Sequence, residues 1–254
     1  MKVRILGSGT SSGVPRIGND WGACDPTEPR NRRTRVSALI EHDDTRILID
    51  TGPDMREQLL AADVADVDAV LWTHDHADHC HGIDDLRQLF HARRAPVVGY
   101  ARPETLASLR ARFDYVFAGR AGYRATVIGH ALPDTLTIGT IDIGVTDQPH
   151  GSISSAGLRF SAGGRSIGYA TDFSAVTPAM RTLYAGVDIL VVDALRVAPH
   201  PTHPSLSEAI EFAREVGAGR TALIHMDQTL DYATLVAELP PTMQPAYDGL
   251  ELIA

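Results

Sequence analysis

Short apolar runs alternate with amphipathic segments along most of the chain. Residues 3–6 form an apolar run that stops at Gly7-Ser8-Gly9-Thr10-Ser11-Ser12-Gly13, which predicts a strand ending in a loop. Residues 13–35 are rich in Gly, Pro, Asn and Arg and predict a long loop. Two apolar runs, 36–41 and 46–50, flank His42-Asp43-Asp44-Thr45 and predict a strand pair joined by a turn. Helical spacing appears at 55–62, at 83–92 with Asp84 and Asp85 in its first turn, and at 103–113 behind Pro103. Short buried strands are predicted at 69–72 and 97–100.

The second half keeps this style. Strands are predicted at 136–145, 158–162, 166–170, 189–193 and 221–224, and a helix at 177–183. A second helix opens at Ser205, runs to Val216 and stops at Gly217-Ala218-Gly219. Ser205 and Glu208 have the spacing of a capping box, with Ser207 an alternative cap. Helices and strands alternate, with hairpins among them, so the expected class is mixed α and β, sheets covered by helices. No repeat, low-complexity tract or long linker divides the chain, so residues 1–254 are read as a single domain.

Composition narrows the function classes. A formal net charge of −9 leaves no globally basic surface, and nucleic acid is not an expected partner. Local basic runs exist at Arg30, Arg32, Arg33 and Arg35 and at Arg93-Arg94. No apolar run approaches the roughly 18 residues of a membrane helix, and the N-terminus lacks the apolar region of a signal peptide. Two cysteines, Cys24 and Cys80, cannot build a disulfide framework. A cytoplasmic protein without membrane contact is expected, and a homodimer is left open.

The chemistry lies in the histidines. Reactive residue types follow apolar runs repeatedly: Asp50 after 47–49, His74 after 70–72, Asp172 after Tyr169-Ala170 and His225 after Leu223-Ile224. Strand ends are where α/β folds place ligands. The segment Thr73-His74-Asp75-His76-Ala77-Asp78-His79 concentrates three His and two Asp directly behind a buried strand. Imidazole and carboxylate suit Zn, Mn, Fe or Ni. Further ligands are available at His150, Asp172 and His225. Taken singly, His150 reads as a surface residue in a turn-like segment, Asp172 as a helix cap and His225 as a core histidine. Their joint order carries the metal reading.

In that order, Asp50, the 74–79 string, His150, Asp172 and His225 resemble the motifs of the metallo-β-lactamase-fold hydrolases, over nearly the whole chain. The resemblance implies an α+β fold, a four-layer αβ/βα sandwich with a dinuclear site at one edge of two facing sheets. It implies that His74, His76 and His150 hold one ion, that Asp78, His79 and His225 hold the other, that Asp172 bridges them, and that Asp50 orients the cluster from behind. An all-His/Asp set resembles the phosphodiesterase and nuclease branch, where a water deprotonated between two cations attacks phosphorus. His203, in Thr202-His203-Pro204-Ser205, resembles the His segment shared by tRNA 3′-processing endonucleases and cyclic phosphate phosphodiesterases, which makes it the expected general acid. His200 is a weaker candidate. Catalysis is assigned to His203 and Asp78.

The 7–15 segment, the 31–37 segment and the ending Tyr247-Asp248-Gly249-Leu250-Glu251-Leu252 are similar to the phosphoribosyl 1,2-cyclic phosphate phosphodiesterase (PhnP-like) subfamily. Expected cofactors are two divalent metal ions, Zn or Mn first and Fe or Ni next. The expected partner is a small phosphodiester of cyclic phosphoribosyl or cyclic nucleotide type, with Arg35 and Ser37 as phosphate contacts. That subfamily often carries several cysteines in the 13–35 loop for a structural zinc. Here Cys24 stands alone, and no such zinc is expected. Two other functions are carried: a tRNA 3′-processing endonuclease, disfavoured by the absence of a Lys-rich arm between His79 and His150, and a biosynthetic protein of the pyrroloquinoline quinone type.

Overall fold

Alternation along the strands decides the architecture. A computed structural model describes residues 1–254. The first sheet is built from β1 (Lys2–Gly7), β2 (Ser37–His42), β3 (Thr45–Ile49), β4 (Ala69–Trp72), β5 (Val97–Ala101) and β6 (Val127–Ala131). Among them lie α1 (Met55–Ala62), α2 (Ala77–Cys80), α3 (Leu86–Arg93), α4 (Pro103–Arg112) and α5 (Asp114–Ala118). The second sheet takes β7 (Thr135–Ile138), β8 (Ile141–His150), β9 (Ile153–Ala162), β10 (Arg165–Ala170), β11 (Ile189–Asp193), β12 (Arg220–Ile224) and β13 (Met243–Pro245). Its helices are α6 (Pro178–Tyr184), α7 (Leu206–Glu215) and α8 (Tyr232–Glu238), and β14 (Glu251–Ile253) returns to pair with β1. The strand orders are β14-β1-β2-β3-β4-β5-β6 and β13-β12-β11-β10-β9-β8-β7.

Successive side chains on a strand point to opposite faces. Ile47, Ile49, Ala69 and Leu71 of the first sheet join Ile167, Tyr169, Ile189, Val191, Ala222 and Ile224 of the second in one buried cluster between the sheets. The alternate residues Leu48, Val70 and Trp72 pack outward with Leu59, Leu86 and Leu106 from the helices. On the far side Leu190, Val192 and Leu223 meet Met180, Phe212 and Leu235. The result is the expected α+β sandwich: helices, sheet, sheet, helices. No helix is long and apolar enough to cross a membrane.

Several elements differ from the sequence reading. The single strand expected at 136–145 is a hairpin, β7 and β8, folded at Gly139, whose φ of +54° suits glycine. His150 lies not in a turn but at the end of β8, which stays paired with β9 through His150↔Ile153. Pro149 is tolerated there because β7 pairs β8 only from Ile141 to Gly144, leaving an edge beyond. The helix expected at 83–92 begins as a 3-10 turn, Ile83–Asp85. The Ser205–Glu208 capping box forms as expected. The helices α5 and α8 and the strand β6 were not anticipated.

The 13–35 loop is tied down by a buried cation. Arg33 is 1% exposed. Its guanidinium donates to the carbonyls of Asp227 (3.1 Å) and Leu230 (2.6 Å) and to Asn31 Oδ1 (3.2 Å), beside the buried Cys24 thiol. Replacing it by an apolar residue removes all three bonds, and a hydrogen bond to a charged group contributes about 1.5–3 kcal/mol. Arg33→Met is therefore expected to lose roughly 3 kcal/mol of stability, read as a lower urea midpoint, with faster proteolysis in residues 13–35. An unchanged midpoint would remove Arg33 from this role.

Candidate metal centre

The expected ligands converge at the carboxyl ends of strands from both sheets. Asp50 follows β3, the 74–79 string follows β4, His150 ends β8, Asp172 follows β10, Asp193 ends β11 and His225 follows β12. The strands β10, β11 and β12 are parallel neighbours, so Asp172, Asp193 and His225 arrive side by side. Asp50, Asp172 and His225 all have left-handed backbones, with φ of +63°, +52° and +59°. Non-glycine residues hold such conformations at a cost of order 1–3 kcal/mol and concentrate at functional sites. Close backbone packing sets the ligand helix. Thr51 N–H donates to His79 O (2.8 Å) and Gly82 N–H to Thr51 O (2.8 Å). A Cβ on Gly52 would fall 2.3 Å from the Asp78 carbonyl oxygen, and one on Gly82 would fall 2.1 Å from that of Gly52, so both positions require glycine.

Three overlapping groups of donor atoms result, one of them Asp172, Asp193, His203 and His225. His74, His76, His150 and Asp172 have donor atoms within 4.8 Å of one another, and so do Asp78, His79 and His225. Asp172 faces both: its oxygens lie 3.7 Å from His74 Nε2, 3.6 Å from His150 Nε2, 3.4 Å from His79 Nε2 and 3.7 Å from His225 Nε2. His76 Nδ1 and His150 Nε2 face each other at 3.2 Å. The ring atoms His74 Nε2, His79 Nε2 and His225 Nε2 are buried without a hydrogen-bond partner. Buried polar atoms are nearly always satisfied. Three orphaned imidazole nitrogens aimed at one carboxylate fit a divalent cation.

Supporting bonds fix these rings from behind. Asp50 lies 2.7 Å from His79 Nδ1 and accepts from the backbone N–H (2.7 Å) and hydroxyl (2.8 Å) of Thr73. His150 Nδ1 lies 2.9 Å from the Thr202 carbonyl oxygen. Such partners set which ring nitrogen stays free. Burial pushes the Asp78 and Asp172 carboxyls up, but His79 and His225 outweigh it and hold both well below the usual range. Burial pushes His225 down, yet Asp172, Asp193 and Asp78 raise it to about 9. His79 is raised in the same way, whereas burial and neighbouring His79 drive His74 down.

Other expected residues fall variously. His203 lines the same pocket of about 260 Å³, with its Nδ1 2.8 Å from Asp193 Oδ2 and its ring stacked 4.8 Å from that of His225. Asp193, fully buried, also accepts from the Asp172 N–H at 3.2 Å. The sequence reading gave Asp193 no role, although it follows an apolar strand just as Asp50 and Asp172 do. His200 turns its ring to Thr202. The arginine run disperses: Arg30 pairs with Glu28, Arg32 lies over Trp21, Arg33 is buried and Arg35 pairs with Asp54 at 3.0 Å. Arg35 lines a recess that shares Ser11 and Asp78 with the pocket. Ser37 does not reach it. It is fully buried in β2, where its hydroxyl donates to Ile49 O (2.9 Å), so it has no open face for a phosphate.

A double-sheet sandwich with a His/Asp cluster at its strand ends defines a protein of the metallo-β-lactamase fold. The chain belongs to the beta-lactamase superfamily, whose domain model matches residues 45–226. Within it the chain is PhnP-like: a solved diphosphatase of the PhnP family superposes with a TM-score of 0.90 at 36% identity, over 99% of this chain and 97% of that one. Zn²⁺-bound PqqB from Methylobacterium extorquens shares the fold, with a TM-score of 0.78 at 21% identity over the whole of both chains. An octanoyltransferase from Porphyromonas gingivalis is 33% identical over 100% of this chain, but the chain spans only 51% of that protein's length.

Metal binding requires neutral imidazoles, so His225 and His79 must give up protons to an ion. Affinity should therefore rise with pH from neutral through about 9, where His225 becomes neutral. Zn²⁺ titrations near neutral pH, in buffers of different protonation enthalpy, are expected to show release of at least about one proton per chain. Heats independent of the buffer would contradict the assignment of His225 as a ligand.

Proposed function

We propose that this protein is a dinuclear metal-dependent phosphodiesterase acting on small phosphodiesters, cyclic ones included. The observation that carries the reading is the His203–Asp193 pair set against a donor cluster made only of His and Asp. In this reading His74, His76 and His150 hold one ion, Asp78, His79 and His225 hold the other, and Asp172 serves both. Zn and Mn suit the donors first, then Fe and Ni. Bound divalent ions supply concentrated positive charge that acidifies water and neutralises phosphoryl oxygens.

The chain's own residues do the rest. Asp50 keeps His79 oriented, and the Thr202 carbonyl does the same for His150. Asp78 lines the pocket and accepts a hydrogen bond from the attacking water. Asp193 engages His203 Nδ1, which leaves Nε2 free to deliver a proton to the leaving oxygen. Arg35 is the candidate contact for an outlying phosphate oxygen. The 36%-identical solved relative is a diphosphatase, which supports a phosphorus electrophile.

Metal analysis paired with a turnover panel tests this. The panel is bis(p-nitrophenyl) phosphate, 2′,3′-cyclic nucleotides, a ribosyl 1,2-cyclic phosphate and a precursor tRNA. About two ions per chain with cleavage of the small diesters is expected. Cleavage of precursor tRNA alone would make the protein a nuclease, and no phosphoester turnover would overturn the substrate class.

His203→Ala is expected to keep its metal and lose roughly 10²–10⁴-fold in kcat on alkyl diesters. It should lose far less on p-nitrophenyl esters, whose leaving group needs no proton. Equal losses on both would remove the general-acid role. Asp172→Ala is expected to lose metal and activity together, and full metal content with normal turnover would exclude it as the shared ligand.

A further inference from the structure

A larger recess of about 760 Å³ adjoins the candidate metal pocket, and Gly151, Ser152 and Ile153 line both. A volume of this size lies in the range of small-molecule sites. We propose that this recess is the subsite for a neutral, polyhydroxylated arm of the substrate, such as a sugar or polyol esterified to the phosphorus under attack. The inference rests on the phosphodiesterase reading of the same site.

Charge comes first. The cation of the recess wall, Arg102, is already held by Asp134 at 2.7 Å and Asp147 at 2.8 Å. Asp75 is likewise engaged, by Arg112 and by the Ser108 hydroxyl. Once these pairs are made, the ionised side chain left over in the wall is Glu104, which has no ion pair. An unpaired carboxylate beside a committed arginine repels a second phosphate, and with it a polynucleotide backbone.

Hydrogen bonding points the same way. Thr105, Ser152 and Ser154 line the recess, and their hydroxyls bond to nothing in the protein. Thr105 is only 7% exposed, so its free hydroxyl has little besides the recess to face. A hydroxyl donates once and accepts twice, while a carboxylate only accepts. Three hydroxyls and one carboxylate complement sugar hydroxyls, which both donate and accept. They offer no free positive charge to an anion.

The test uses three p-nitrophenyl phosphodiesters with the same leaving group. Their second substituents are ethyl, glucose joined through its primary hydroxyl, and glycerol 3-phosphate. Wild-type kcat/KM is expected to be at least about tenfold higher for the glucose ester than for the ethyl ester, carried by KM, with the phosphate-bearing arm no better than ethyl. Thr105→Val and Glu104→Gln should each cut the glucose-to-ethyl ratio about five- to tenfold. A wild-type ratio near one, a preference for the phosphate-bearing arm, or variants that keep the wild-type ratio would overturn the subsite while leaving the phosphodiesterase standing. If wild type cleaves none of the three, the phosphodiesterase reading fails. The subsite is then judged by saturation-transfer NMR of the glucose ester on metal-free protein. Saturation of the sugar-ring protons by wild type that disappears with Thr105→Val supports it. Equal saturation by both proteins, or none by either, overturns it.

Discussion

Everything in this protein is arranged around one buried carboxylate. Asp172 is 1% exposed, and four imidazoles approach its two oxygens at 3.4–3.7 Å. An isolated charge at that depth is prohibitive unless opposite charge meets it. The rings therefore have to converge, and the two sheets have to end at the same rim to bring them there. The left-handed backbones at Asp50, Asp172 and His225 follow from that demand. Each lets a strand stop and turn its side chain inward instead of continuing its pleat. The Asp50–Thr73 bonds and the glycines at 52 and 82 are second-order consequences, since they hold the ligand helix at the required depth.

Much of this was legible from residues alone, and the rest was not for identifiable reasons. The parity of Ile47-Leu48-Ile49 and of Ala69-Val70-Leu71-Trp72 marks strands buried on both faces, and those runs do sit between core and helices. Where pattern and packing diverge, a polar interior is responsible. The β8 segment Asp147-Gln148-Pro149-His150 reads as a turn because its residues are polar. Yet Gln148 is fully buried, donating to Ser155 and Thr171 and accepting from the Tyr184 hydroxyl. Sequence cannot show where a buried amide finds its partners. Asp193 was overlooked for a related reason. It touches no other predicted residue in sequence, and only the parallel register of β10, β11 and β12 sets it beside Asp172 and His225. Ser37 failed in the opposite direction: its nearness in sequence to Arg35 says nothing about which face of β2 it occupies.

The long loop before β2 is tied across the site by a buried charge. The Arg33 guanidinium reaches to the 227–230 segment that follows His225. A planar cation with several fixed donors suits carbonyl acceptors arriving from two directions. Asp248 makes the complementary tie nearby, accepting from the N–H and hydroxyl groups of both Ser8 and Thr34. The loop that borders the pocket is thus anchored by one buried base and one half-buried acid, each bonded mostly to neutral groups.

The candidate ligands are also divided between the sheets. His74, His76, Asp78 and His79 come from the first, and His150, Asp172 and His225 from the second. The apolar layer between the sheets needs no ion, but at this rim the two halves present mainly polar groups to each other. Ions seated there would rivet the halves together, as a clasp closes a book whose spine is the hydrophobic core. Metal supply would then be a mechanical variable too. A starved molecule would keep its spine but let its pages part at the rim, where hydrogen exchange would be fastest and where proteases would find their first purchase.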